Sequence, residues 1–205
     1  MTVWNNRNYC INQLKGRDLT NFDIYEFGIY TGNSFRQIYE ALQECKVRPS
    51  KIWGFDSFEG LPAEEPGVPI GEGWEQGKFR IDDPDIMSII SRSVDGSIPF
   101  ELVKGYFHNS LNVLLRPRLK QAVFIDIDSD LYISCFQILD YFFKNDLVAQ
   151  GCFISYDDWG GVTEGEGGES KAHFDIMKKY KVDCAEVFSV GDKNIEKAFV
   201  VRGYK

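Results

Sequence analysis

Residues 20–34, Thr-Asn-Phe-Asp-Ile-Tyr-Glu-Phe-Gly-Ile-Tyr-Thr-Gly-Asn-Ser, restrict the fold more than any other stretch of the chain. A short apolar strand, Ile24 to Phe27, carries a carboxylate, Glu26, at its end. Two glycines follow, Gly28 and Gly32, and a helix opens near Asn33-Ser34. About thirty residues later a second strand, Lys51-Ile-Trp-Gly-Phe55, runs into Asp56. Such a unit lays a nucleotide-type ligand across the carboxyl ends of two parallel strands. The glycines let backbone approach the ligand, and an acidic side chain accepts hydrogen bonds from ribose hydroxyls. The pattern is E-x-G-x-x-x-G, not the dinucleotide G-x-G-x-x-G. It suits a ligand with a ribose and an amino acid tail but no pyrophosphate.

The rest of the chain continues the alternation. Phe35, Ile38, Tyr39 and Leu42 have helical spacing within Ser34 to Glu44. Residues 59–80, rich in Gly and Pro, read as a long loop. Helix Asp85 to Arg92, strand Phe100 to Lys104 and helix Asn109 to Leu115 follow. Then come strand Ala122 to Ile127, helix Leu131 to Phe143 and strand Cys152 to Tyr156. A glycine-rich loop, 160–168, precedes helix Lys171 to Tyr180. The chain closes with strands Ala185–Val190 and Ala198–Val201. Alternation predicts an α/β, Rossmann-like fold: a seven-stranded, mostly parallel sheet with helices on both faces. Two final strands with no helix between them predict an antiparallel edge hairpin. No linker or repeat divides the chain, so 1–205 reads as one domain. It has an N-terminal extension, 1–20, and two active-site loops, 59–80 and 159–170.

Charge narrows the partners. The chain carries 31 acidic and 23 basic residues, net −8, which argues against affinity for nucleic acid phosphates. No run approaches the roughly 20 apolar residues of a membrane span, and no signal-peptide core opens the chain. Five scattered cysteines without a C-x-x-C pair point away from a disulfide framework or zinc ribbon. The expectation is a reduced, cytoplasmic setting. A homodimer through the edge hairpin or a short N-terminal helix is compatible with the pattern.

A second cluster lies at two later strand ends: Phe124-Ile-Asp126-Ile-Asp128-Ser-Asp130-Leu-Tyr132 and Tyr156-Asp157-Asp158-Trp159. Neighbouring strand ends bring Asp128, Asp157 and Asp158 together, and a bound cation relieves the repulsion of crowded carboxylates. An all-oxygen donor set favours a hard ion, Mg²⁺ before Ca²⁺ or Mn²⁺. Asp130 precedes a helix and suits an N-cap; Asp126 lies deeper, as a satisfied buried acid or a support for its neighbours. His108 sits at a third strand end, Trp74 in the long loop is a candidate lid residue, and His173 reads first as a packed or surface histidine.

These strings together resemble the class I S-adenosylmethionine-dependent methyltransferases. They are most similar to the macrocin O-methyltransferase family, which methylates sugar hydroxyls of macrolide antibiotics. The resemblance rests on Tyr25–Ser34, Gly54-Phe-Asp-Ser-Phe-Glu-Gly-Leu-Pro62, Val103-Lys-Gly-Tyr-Phe107, Ile127-Asp-Ser-Asp-Leu-Tyr132 and Asp157-Asp-Trp-Gly-Gly161. It implies that Glu26, Gly28, Gly32, Asn33 and Ser34 line the methionine side of the cofactor. It further implies that Asp56 holds the ribose beside Ser57 and Phe58, and that Gly105 and Tyr106 lie near the adenine. Asp128 would face the cofactor and join Asp157 and Asp158 at Mg²⁺. Family members commonly have a longer segment before the first strand, so a reduced cover over the substrate is expected here.

The activity expected is methyl transfer to a hydroxyl of a small polyhydroxylated acceptor, with Asp128 as proton acceptor and His173 as a lesser candidate. Three alternatives stay open: a metal-independent methyltransferase, a nicotinamide oxidoreductase (disfavoured by the missing third glycine), and a non-catalytic binding module (disfavoured by the complete carboxylate set).

Overall fold

The computed structural model describes residues 5–191 and 195–205, so residues 1–4 of the N-terminal extension lie outside it. Seven strands form one sheet: β1 (Asp23–Phe27), β2 (Lys51–Asp56), β3 (Phe100–Lys104), β4 (Ala122–Ile127), β5 (Val148–Tyr156), β6 (Asp183–Val190) and β7 (Glu196–Gly203). Their order is β3-β2-β1-β4-β5-β7-β6. The first five are mutually parallel, and β7 runs antiparallel to both β5 and β6. The expected architecture and edge hairpin are therefore present.

Alternation along each strand feeds two apolar layers. Tyr25, Phe27, Trp53, Phe55, Ile125 and Ile127 pack on α5 (Tyr132–Lys144) and α6 (Gly168–Lys179), through residues such as Ile138, Phe142 and Ile176. Ile24, Ile52 and Phe124 belong to the opposite layer, with Ile11 of α1 (Asn6–Gln13), Phe35 and Ile38 of α2 (Asn33–Glu44) and Ile90 of α3 (Ile86–Arg92). Strands buried on both faces read as near-continuous apolar runs, which is why β1 and β4 stood out in the sequence. The order reverses at β1, between β2 and β4. That is the switch point, where a crevice opens beyond the strand ends.

Local chemistry explains two departures from the expected elements. The helix expected over Asn109 to Leu115 is instead a single turn, α4 (Phe107–Ser110), followed by a 3₁₀ turn at Arg116–Arg118. The Asn112 side-chain oxygen accepts from the amides of Leu114 (2.9 Å) and Leu115 (3.2 Å), offering those amides a turn in place of a helix. Asp130 does not cap α5. It holds a left-handed φ of 57°, and Leu131 occupies the cap position. The first amides of α5 go to a residue distant in sequence: Glu64 accepts from Tyr132 (2.6 Å) and Ile133 (3.0 Å). A carboxylate at a helix N-terminus satisfies orphan donors and complements the helix dipole. Here it also ties the 59–80 loop to the start of α5.

No helix among the described residues is long and apolar enough to cross a membrane.

Candidate active site

The sheet fixes the start of four of the loops that build the site. The amides of Gly28, Gly105, Asp128 and Asp157 continue the parallel ladders, donating to Phe55, Asp56, Phe27 and Ile127 at 2.9–3.1 Å. The first loop residue after each of β1, β3, β4 and β5 is thus held like part of a strand. Gly28 has φ 89°, and a Cβ there would lie 1.7 Å from the Asp128 carbonyl oxygen. Only glycine lets the loop after β1 cross the loop after β4 at this distance.

Asp56 binds two turns at once. Its carboxylate accepts from the Tyr30 amide (2.8 Å) and the Phe58 amide (2.6 Å). The first bond holds Tyr30 at its left-handed φ of 45°. Burial raises the Asp56 carboxyl above its ordinary value, and the amide donors oppose that rise.

Above these loops lies a cavity of about 520 Å³, within the size range of cofactor sites. Among the residues expected at the site, Gly28, Asn33, Ser34, Asp56, Ser57, Tyr106, Asp128 and Asp158 line it, as do Trp74 and His108. Tyr30 and Phe79, in edge-to-face contact at 5.9 Å, form an aromatic wall that the sequence reading passed over. Ser129, Ser134 and Gln137 add polar groups to the lining.

Other expected residues stand behind the lining. Gly32 ends its turn at φ 83° against Ile90, and Phe58 is core on the α2–α3 face. Gly105 shapes its turn at φ 138°. Glu26 is fully buried with no hydrogen-bond partner for either carboxylate oxygen. Burial and Asp126 push its proton affinity well up; Arg7 and the nearby Ser34 hydroxyl work the other way. Glu26 thus backs the glycine turn from behind and does not face the cavity.

His173 is the packed histidine expected from the sequence, and its candidacy as proton acceptor is corrected. It is 2 % exposed and does not line the cavity. Its ring packs among Tyr156, Trp159 and Phe199, with Nδ1 bonded to the Tyr156 hydroxyl at 2.9 Å. Burial, with a smaller push from Lys197, drives its pKa down to about 3. It is a neutral core histidine. Helical spacing on α6 puts it on the face that buries Ala172 and Ile176.

Carboxylate oxygens of Asp128, Asp157 and Asp158 lie within 4.8 Å of one another. This is the cluster expected from the strand ends, and its oxygen-only donors fit a hard divalent ion. Burial is the main cause that raises all three. Asp157 adds most to Asp128, and Asp130 adds most to Asp158, which reaches about 7. Asp130, buried near Asp128, is likewise pushed up to about 7.

Two residues that the sequence reading missed organise the cluster. Arg7, from α1, donates from Nε to Asp126 (2.6 Å), from Nη2 to Asp128 (2.9 Å) and from Nη1 to Asp157 (3.0 Å). Burial opposes its charge, yet Asp126, Asp157 and Asp128 together raise it above its ordinary value. Asp126 takes Arg7 on one oxygen and the Ser155 hydroxyl on the other, so it is a satisfied support and not a cavity residue. Glu169, fully buried at the start of α6, accepts from the Ser129 and Asp158 amides, both at 3.0 Å. It bridges the turns after β4 and β5 and so sets the separation of Asp128 and Asp158.

The macrocin O-methyltransferase (TylF) family model matches residues 4–187. The chain belongs to that family. It is a methyltransferase that uses S-adenosylmethionine. Similar solved structures share the fold at low identity. The calicheamicin methyltransferase CalS11 superposes with a TM-score of 0.75 at 17 % identity, covering 96 % of this chain and 77 % of that one. The O-methyltransferase NovP gives 0.73 at 16 %, covering 95 % and 77 %. An O-methyltransferase from Bacillus cereus in complex with SAH gives 0.60 at 13 %, covering 96 % and 80 %. A sequence search of curated proteins gave no match.

Proposed function

We propose that this TylF-family methyltransferase methylates a hydroxyl oxygen of a small polyhydroxylated acceptor of sugar or natural-product type, assisted by Mg²⁺ at Asp128, Asp157 and Asp158. The observation that carries this reading is one cavity with two kinds of wall. Gly28, Ser34 and Asp56 line it, and so do Asp128 and Asp158. A methyl donor and an acceptor held there share one space, which is the main requirement of a direct transfer.

On this reading S-adenosylmethionine supplies the electrophilic methyl, and Mg²⁺ lowers the pKa of the acceptor hydroxyls it meets. The chain's own groups do the rest. Asp56 takes the ribose hydroxyls. Asn33 and Ser34, in the first turn of α2, hold the amino acid end. Tyr106 and His108, whose rings lie nearly parallel at 5.9 Å, border the adenine side. Asp128, which lines the cavity at the edge of the aspartate cluster, would take the acceptor's proton. The acidic chain and the Ser129, Ser134 and Gln137 lining suit a small polar acceptor better than a nucleic acid.

Calorimetric titration with S-adenosylhomocysteine, then methyl-transfer assays on a panel of sugars and natural-product diols with and without chelator, tests the reading. Micromolar binding and chelator-sensitive transfer are expected. Transfer that chelator leaves unchanged removes the metal, and absence of cofactor binding by the folded protein removes the whole proposal.

A further inference from the structure

The guanidinium of Arg7 engages two of the three carboxylates that face one another in the aspartate cluster. It lies 2.9 Å from Asp128 Oδ2 and 3.0 Å from Asp157 Oδ1. A divalent ion ligated by either carboxylate must share it with a cation already in place. The placement is built, not incidental. Asn5 caps α1 through the Asn8 amide (2.9 Å), and Asn6 Nδ2 donates to the Tyr156 carbonyl (2.8 Å). Cys10 and Ile11 bury the same helix against the α2–α3 layer. The bond from Nε to Asp126 then aims the other two nitrogens at the cluster.

Resting on the metal reading above, we propose that Arg7 is a tethered competitor of the divalent ion. It keeps the aspartates assembled without metal and lowers their affinity for it. Like charges at such separations in a partly desolvated site repel strongly, so loss of the guanidinium leaves a deeper negative well for the ion. Metal entry draws Nη1 and Nη2 away from Asp128 and Asp157, while Nε stays on Asp126. The guanidinium thus acts on the reaction through the cluster, as a positioning residue, and does not touch the acceptor.

Mn²⁺ binding, followed by electron paramagnetic resonance on the full chain without cofactor or acceptor, decides the matter. Wild type, Arg7→Met, Arg7→Lys and Asp158→Asn are compared, with thermal melts alongside. Arg7→Met is expected to bind Mn²⁺ about tenfold tighter than wild type or more. Arg7→Lys, which keeps the charge, stays nearer wild type, and Asp158→Asn loses binding. Equal or weaker binding by folded Arg7→Met overturns the proposal while leaving the metal site standing. Mn²⁺ binding by neither wild type nor Arg7→Met removes the metal reading and this proposal with it. Should Arg7→Met fail to fold, the wild-type arginine side-chain NMR signals are followed during Mg²⁺ titration. Movement of the Arg7 Nη protons with Nε–H retained is expected; unmoved Nη protons at metal saturation overturn the competition.

Discussion

The ring of Trp74 lies across Gly161 so closely that a Cβ on Gly161 would come within 2.0 Å of it. This contact joins the two long loops, with Leu61 and Leu131 packed in the same small cluster and Val162 against it. Gly161 does not have a left-handed φ, so replacing it tests the contact and not backbone strain. Gly161→Ala is expected to displace Trp74 from the cavity wall. Acceptor KM should rise about tenfold, the size of effect a misplaced pocket wall produces, while S-adenosylhomocysteine affinity measured by calorimetry changes little.

Glu169 holds the Ser129 and Asp158 amides in the turns after β4 and β5. In Glu169→Gln one acceptor oxygen survives and an NH₂ meets a buried N–H. A mismatch of this kind costs about 1–3 kcal/mol, read as a lower melting temperature. The sharper expectation concerns geometry: Asp128 and Asp158 drift apart, and Mn²⁺ affinity and kcat fall together. Unchanged Mn²⁺ affinity in a variant that is less stable would reduce Glu169 to a structural prop.

His173 should behave as a core residue. Its folded pKa of about 3 lies below the ordinary histidine value because it is buried. The unfolded chain therefore binds this proton first as pH falls. The stability that His173 contributes is complete above about 6.5 and is lost as pH drops toward 3. Side-chain ¹⁵N NMR should show a neutral ring throughout pH 5–8. His173→Gln should keep turnover within several-fold of wild type, whereas Asp128→Asn should lose about 10²-fold or more.

Asp130 and Asp158 produce the opposite slope. Burial, together with neighbouring aspartates, raises both to about 7. Between about pH 4 and 7 the folded protein holds protons that the unfolded chain releases, so their contribution is present in acid and lost as pH rises through 7. Metal-free protein should melt at lower temperature at pH 8 than at pH 5.5. Saturating Mg²⁺ should reduce that difference, as should Asp158→Asn. A melting temperature that climbs from pH 5.5 to 8 without metal would contradict the assigned proton affinities.

The sheet was legible because β1 and β4 are apolar on both faces, and because Gly28 and Asp128 sit where strand periodicity stops. The glycine turn after β1 and the aspartates after β4 and β5 were legible for the same reason: each lies at a strand end. What escaped the sequence reading acts at long range. Arg7 lies 119 residues before Asp126, on a helix whose buried face begins with polar Asn6 and Arg7. Polar residues on a short segment read as solvated surface. Glu64 was one acid among many in a loop, and its partners at Tyr132 and Ile133 are visible only once the chain is folded. Helix α4 was misplaced because Asn112 redirects nearby amides, a side-chain effect that apolar spacing does not report.

The bonds from Glu64 to the amides of Tyr132 and Ile133 give the protein a native sensor of loop position. Those two protons are shielded while Glu64 stays at the N-terminus of α5. Each excursion of Glu64 exposes them to deuterium. Their exchange rates, read amide by amide, would count departures of Glu64 from the helix, with no dye, label or substrate required.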